Sequence, residues 1–314
     1  MPFPEYDLEE ALSGWGNALA GTLTDPVSPF WWPSLLLAGA AGIVIAVVAR
    51  MRLADIPRRI TPEQRRAFWR ELPVDLACWL ASTALPFLLG PLLLLISWGG
   101  MLAGMLLLRP VFGGLAADAP PPGPAMLFLA AVLAFVCGDF MLYWSHRLFH
   151  RVPLLWRAHR LHHAPAVLTP ITAFRFWPQE HVVHLSGNVF GQGFGLGLCM
   201  AMAGTRVSPL TVLGVNVVAM AWGLAFAHLR HSHVPLGFPR WLSFVLVSPH
   251  MHQAHHSTDV AHHDRNFATG LALWDWLFGT LYIPRREERF RFGLREGEAV
   301  TVPAQVSPAE PAAR

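Results

Sequence analysis

HRLFH (His146–His150), then HRLHH (His159–His163), is the stretch on which the reading of the whole chain turns. HQAHH (His252–His256) repeats the second pattern further on, and none of the 16 histidines precedes His146 or follows His263. On a helix, residues three and four apart share one face. His146 and His150 have that spacing. So do His159, His162 and His163, and so do His252, His255 and His256. Each cluster can aim two or three imidazoles at one point. Together the eight exceed what one tetrahedral zinc takes. They suit two metals that keep positions open for water, oxygen or substrate. Imidazole binds iron, zinc, copper and nickel alike, so the ligand type leaves the metal open. The bland alternative, a set of pH-sensitive surface histidines, does not account for three ordered clusters.

Composition sets the environment. The chain has 314 residues, 54% hydrophobic and 14% charged, with a mean hydropathy of +0.40. Soluble domains carry about a quarter charged residues. An integral membrane protein is expected. The net charge of +3 is small and dispersed, which excludes nucleic acid as a partner. Cys78, Cys137 and Cys199 sit in apolar runs and read as buried thiols, not as a disulfide framework. The acidic start MPFPEYDLEE lacks a basic n-region, so no cleaved signal peptide is expected.

Four segments follow from the hydropathy pattern. Residues 1–29 are a polar N-terminal segment. Residues 30–124 are an N-terminal transmembrane region. Its first span, 30–48, is followed by a loop with Arg50, Arg52, Arg58, Arg59, Arg65, Arg66 and Arg70, cytoplasmic by the positive-inside rule. Its second, 76–108, is expected as one span, kinked or partly re-entrant, with Pro86, Gly90, Pro91, Gly99 and Gly100 offering kinks. Residues 125–285 hold the histidines. A span over 125–145 delivers His146 to the cytoplasmic edge, and 185–203 with 208–227 form a second hairpin ending at His228. Residues 286–314, Pro- and Ala-rich towards the end, read as a disordered tail. The fold expected is an all-α, polytopic membrane protein. It has about four to five transmembrane helices and a cytoplasmic-face helical cap carrying the histidine boxes, in the inner membrane for a bacterial source.

DFMLYWSHRLFHRVPLLWRAHRLHH (Asp139–His163), TAFRFWPQE (Thr172–Glu180), SPHMHQAHHS (Ser248–Ser257) and RNFATGLALWDWLFGT (Arg265–Thr280) resemble the signature of the fatty acid hydroxylase and sterol desaturase superfamily. The resemblance covers roughly residues 125–285. It implies a non-haem di-iron centre of two iron ions and the use of O2 to hydroxylate or desaturate a lipid C–H bond. The ligands it implies are His146, His150, His159, His162, His163, His252, His255 and His256, with His228 as a ninth. His231 or His233 stands as a substitute for His228. Three departures blur the subfamily. Trp177 stands before Pro178 where histidine is frequent, Asn266-Phe267-Ala268 replaces Asn-Tyr-Gly, and HLRHSH (His228–His233) replaces His-Ser-Asn.

Two divalent ions near a membrane need their charge offset, and carboxylates that orient the imidazole N–H groups are one means. Asp139, seven residues before His146 and within the span, is the first candidate, since an intramembrane acid marks a functional site by default. Glu180, Asp264 and Asp275 are the others. No catalytic residue is expected beyond the metal centre. No haem-attachment, flavin or iron–sulfur pattern occurs, so a separate ferredoxin, cytochrome or reductase is expected as electron donor. Sterols, fatty acyl chains, carotenoids and ether lipids all stay open as substrates, and nothing sets an oligomeric state. The rival readings are a metal-dependent hydratase, lyase or hydrolase on the same scaffold, and a metal transporter. A transporter would hold its ligands at mid-membrane depth.

Overall fold

The computed structural model describes residues 7–25, 28, 30, 32–48, 60–116, 118–212, 215–223 and 228–294. Arg50, Arg52, Arg58 and Arg59 of the expected cytoplasmic loop lie outside these residues, as does the end of the tail. The tail's first part does not stand free. Thr258 donates its backbone N–H to Arg291 O at 3.0 Å, and Tyr282 Oη donates to Glu288 at 3.0 Å.

The architecture is helical, apart from a two-residue antiparallel ladder. Helix α1 (Leu8–Ala20) starts at Asp7, whose carboxylate accepts from Glu9 N. Helix α2 spans Trp32–Val48. Helix α3 (Pro62–Leu88) starts with a reciprocal cap, in which Thr61 and Gln64 each accept the other's backbone N–H. Helix α4 spans Gly90–Phe112 and α5 spans Pro124–Arg151. The expected single span over 76–108 is therefore two helices, broken at Leu89. Pro91 lacks the N–H that a continuing helix needs but suits a first turn.

Helices α4 and α5 are long and apolar enough to cross a bilayer, with mean hydropathies of 2.0 and 2.3, and α2 contains a shorter apolar helix, Leu35–Val47. Leu36, Leu94, Leu102, Leu107 and Val111 expose apolar side chains that a bilayer would cover. Helix α5 holds 28 residues, about 42 Å at 1.5 Å per residue, against about 30 Å of hydrocarbon. In a bilayer-spanning α5 the last turns, which carry His146 and His150, would therefore reach past the apolar layer. Val152 is extended because Pro153 follows it. The chain there turns back into α6 (Pro153–His163), which packs on α5.

Helix α7 (Pro178–Ala203) lies between α4 and α5. Gly191, Gly193, Gly195 and Gly197 make this possible. A Cβ at Gly193 or Gly197 would fall on the carbonyls of Ser97 and Met101 in α4. One at Gly191 or Gly195 would fall on those of Cys137 and Leu133 in α5. Two interleaved pairs of small residues, four apart, thus bring both neighbours to backbone contact.

The second half of the expected hairpin, 208–227, is not a spanning helix among the described residues. It holds β1 (Thr211–Val212), β2 (Val215–Asn216) and the short α8 (Val217–Trp222). Asn216 is the reason: its side chain accepts from Val218 N at 2.9 Å and donates to Ala131 O at 3.0 Å, starting a helix where the apolar run continues. The one-turn α9 (His228–Arg230), α10 (Pro249–His255) and α11 (Leu273–Leu277) follow. Tyr143 of α5 and Met251 of α10 pack with Val247, Phe267, Ala268 and Ala272. The three cysteines are free.

The contact at Gly193 predicts that Gly193→Ala lowers the thermal midpoint in detergent, by overpacking worth about 1–3 kcal/mol. Gly187→Ala, whose Cβ meets nothing closer than 3.8 Å, should leave it unchanged.

Candidate metal centre

Nine imidazoles converge in two adjoining groups. His146, His150, His159, His163 and His255 form the first; His162, His231, His252 and His256 form the second. Within each group all ligand atoms lie within 4.8 Å of one another. The sequence spacing suggested that each HxxHH cluster serves one point; the structure divides each cluster between two. On α6, His159 and His163 face the first group and His162 the second. At α10, His252 and His256 face the second and His255 the first. The groups share a wall, where the rings of His163 and His256 lie 4.4 Å apart.

Fixed acceptors set the tautomers. His146 donates Nδ1–H to Phe267 O at 2.7 Å, and His255 donates Nδ1–H to Arg265 O at 2.9 Å. His159 donates Nδ1–H to Glu180 Oε1 at 2.5 Å. The Thr172 hydroxyl gives its own proton to Thr169 O at 2.7 Å, so it accepts Nδ1–H from His231 at 3.0 Å. In all four rings Nε2 is left with a bare lone pair. These lone pairs face other nitrogens. Nε2 of His146 lies 3.1 Å from Nε2 of His159, and Nε2 of His231 lies 2.9 Å from Nε2 of His252. The lone pairs of His146 and His159, so close, repel unless a cation lies between them, while His252, with no acceptor at Nδ1, can donate Nε2–H to His231. His150 Nε2 and His255 Nε2 are buried with no hydrogen-bond partner. The donor set therefore fits bound metal.

Burial holds the imidazoles neutral, the form that binds metal. It pushes His159 and His255 down to about 3, and His162, His163, His231, His252 and His256 well below the ordinary range.

His228 lies outside both groups. It stands at the start of α9 with its ring 6.1 Å from that of Phe30, and His231, three residues on, takes the ninth place. Among the four acids, only Glu180 is seen bonded to a histidine of either group. Asp139 spends its carboxylate on a loop, accepting from Thr269 Oγ1 at 2.9 Å, Leu271 N at 2.9 Å and Trp274 Nε1 at 3.0 Å. Asp275 accepts from Phe267 N at 2.8 Å, Ala268 N at 3.0 Å and Thr280 Oγ1 at 2.7 Å, and burial raises its carboxyl to about 6. Asp264 pairs with Arg151 at 3.1 Å near the surface. Asp139 and Asp275 act through the loop instead: they pin 267–274, and its carbonyl at Phe267 orients His146. Asn266 completes that loop. It adopts a φ of 56°, which Asn tolerates, and donates to Met251 O and Tyr282 O. Arg175 is buried against Asp75 and Glu71 of α3. Only its place in TAFRFWPQE hinted at Thr172, and nothing in the sequence marked Thr169.

Two cavities reach the histidines from different sides. One, of about 410 Å³, touches His146, His159, His162, His231 and His252 and is walled by Phe135, Leu142, Leu185 and Trp222. The other, of about 240 Å³, touches His150, His163, His255 and His256 and is lined by Ser257, Thr258, His263 and Asp264.

Residues 131–280 match the family model described as fatty acid hydroxylase. Ornithine lipid hydroxylase OlsE of Rhizobium tropici is 30% identical over 167 residues, 52% of this chain and 45% of the relative. Alkylglycerol monooxygenase of Xenopus tropicalis is 28% identical over 158 residues, 50% of this chain and 31% of the relative. A putative methylsterol monooxygenase of Dictyostelium discoideum is 28% identical over 173 residues, 53% of this chain and 56% of the relative. The chain thus spans about a third to just over half the length of these curated relatives. No solved structure matches it at a significant level.

The two groups predict that His231→Ala lowers metal bound per chain, measured by mass spectrometry of the purified protein, while His228→Ala does not. Glu180→Gln, which weakens the acceptor of His159, should weaken metal affinity about 10- to 100-fold.

Proposed function

We propose that this chain, whose segment 131–280 is of the fatty acid hydroxylase family, is a membrane-bound non-haem di-iron oxygenase acting on a C–H bond of a lipid. The observation that carries the reading is the pair of fused, buried imidazole groups with their lone pairs turned inward. His146, His150, His159, His163 and His255 would hold one ion, and His162, His231, His252 and His256 the other. Bound there, two iron ions would supply activation of O2 and removal of hydrogen from an unactivated carbon.

The chain's own residues do the rest. Glu180, Thr172 and the carbonyls of Phe267 and Arg265 hold the rings in the binding tautomer. Phe135, Leu142, Leu185 and Trp222 give the larger cavity an apolar wall for a lipid chain and keep water from it. The smaller, polar cavity on the far side offers a path for protons and water that does not cross the lipid. Electrons come from a separate ferredoxin, cytochrome or reductase. The membrane is the inner one for a bacterial source, with the histidines on the cytoplasmic side. Both the relatives named as hydroxylases and monooxygenases and the apolar α4 and α5 support this assignment. Ligands at the end of α5, and not at its middle, speak against transport.

The test is O2 uptake by purified, iron-loaded protein given membrane lipid and a reducing system. Lipid-dependent uptake, abolished together with metal loading by His159→Ala, is expected. A lipid transformed equally well without O2 would replace the oxygenase with the non-oxidative enzyme.

A further inference from the structure

The larger cavity runs away from the histidines along α7, and its wall there carries two carboxamides, Asn188 and Gln192. They stand one turn apart, about 12 and 18 Å beyond Glu180 at 1.5 Å per residue. Because α7 is packed between α4 and α5, this depth lies within the apolar layer. An amide there is costly unless bonded. Amides that glue membrane helices together bond across to a neighbouring helix. This pair does not: Gln192 Nε2 donates to Asn188 Oδ1 at 2.5 Å, within α7. One NH2 group and one C=O group are left beside the cavity. Exchanging N and O in both amides leaves the same inventory. Opposite them, α5 has a glycine. A Cβ at Gly138 would lie 2.9 Å from Asn188 Nδ2 and 3.0 Å from Gln192 Cγ.

A mostly apolar pocket with a few placed polar groups uses them to orient its ligand. We propose that Asn188 and Gln192 form a polar subsite for a neutral group that both donates and accepts hydrogen bonds, a secondary amide or a hydroxyl, carried by the lipid at a distance from the carbon presented to the histidines. The subsite sets which lipid binds and which carbon is presented. It deepens the lipid-oxygenase reading and rests on it for the identity of the ligand as a lipid.

Equilibrium binding of radiolabelled N-hexadecylacetamide and of hexadecyl methyl ether to the metal-loaded protein in detergent tests this without turnover. The wild type should bind the amide about tenfold more tightly, the effect of one or two net hydrogen bonds. Asn188→Leu and Gln192→Met should each erase most of that preference with metal content unchanged, and Gly138→Ala, which crowds the pair, should reduce it. Equal binding of the two probes by the wild type would overturn the proposal, and so would a preference that survives both amide substitutions in metal-loaded protein. If a substitution prevents metal loading, the wild-type comparison and Gly138→Ala still decide. A preference that holds while O2 uptake fails would unseat the oxygenase and leave the subsite standing. The reverse result would unseat the subsite alone.

Discussion

Each of four imidazoles, those of His146, His159, His231 and His255, spends its one ring N–H on a fixed acceptor: two carbonyls of one loop, the Glu180 carboxylate and the Thr172 hydroxyl. That allocation leaves their remaining nitrogens with lone pairs turned inward at near-contact distance, an arrangement that costs free energy until positive charge occupies it. The rest of the structure is subordinate to keeping it. Asp275 and Asn266 hold the loop that offers the Phe267 and Arg265 carbonyls, Asp139 holds the next stretch of that loop to α5, and the N-terminus of α7 presents Glu180. Asp139 and Asp275 act by bonding N–H and O–H groups of the loop, so they shape the centre without touching its imidazoles, whereas Glu180 bonds one directly.

The same constraint explains the packing further down. Glu180 can reach His159 only if α7 approaches α5 closely, and the glycines at 191 and 195 allow that approach. The glycines at 193 and 197 do the same towards α4. Scaffold and centre are thus coupled through one helix. Its cap end orients a ligand histidine, its middle fixes helix spacing, and the side facing α5 lines the cavity where a lipid chain would lie.

Much of the site was legible because imidazoles three and four apart must share a face. That rule brought the eight box histidines together before any coordinates. It did not foresee that HxxHH divides two-and-one between the two groups, because the division depends on how α6 and α10 cross. His228 looked like a ligand because it closes an apolar run. The short α9 rotates it towards Phe30 and turns His231 inward, which spacing along the chain does not encode. Asp139 and Asp275 stood in the sequence as candidates to orient imidazoles and bond the 267–274 loop instead, because charge alone does not say whether an acid meets an imidazole or a loop N–H. The helical class followed from hydropathy. Gly90 and Pro91 marked a kink where the helix in fact ends at Leu89, and the non-helical stretch around Asn216 was not foreseen, because hydropathy averages over the single Asn that starts a new helix.

The measurement closest to the central claim is metal stoichiometry with X-ray absorption on the purified, metal-loaded protein. Two ions per chain, each in a shell dominated by imidazole nitrogen and with more than four ligands, is the predicted result. One ion per chain in a four-coordinate shell, or two ions bound mainly by carboxylate oxygen, would contradict it.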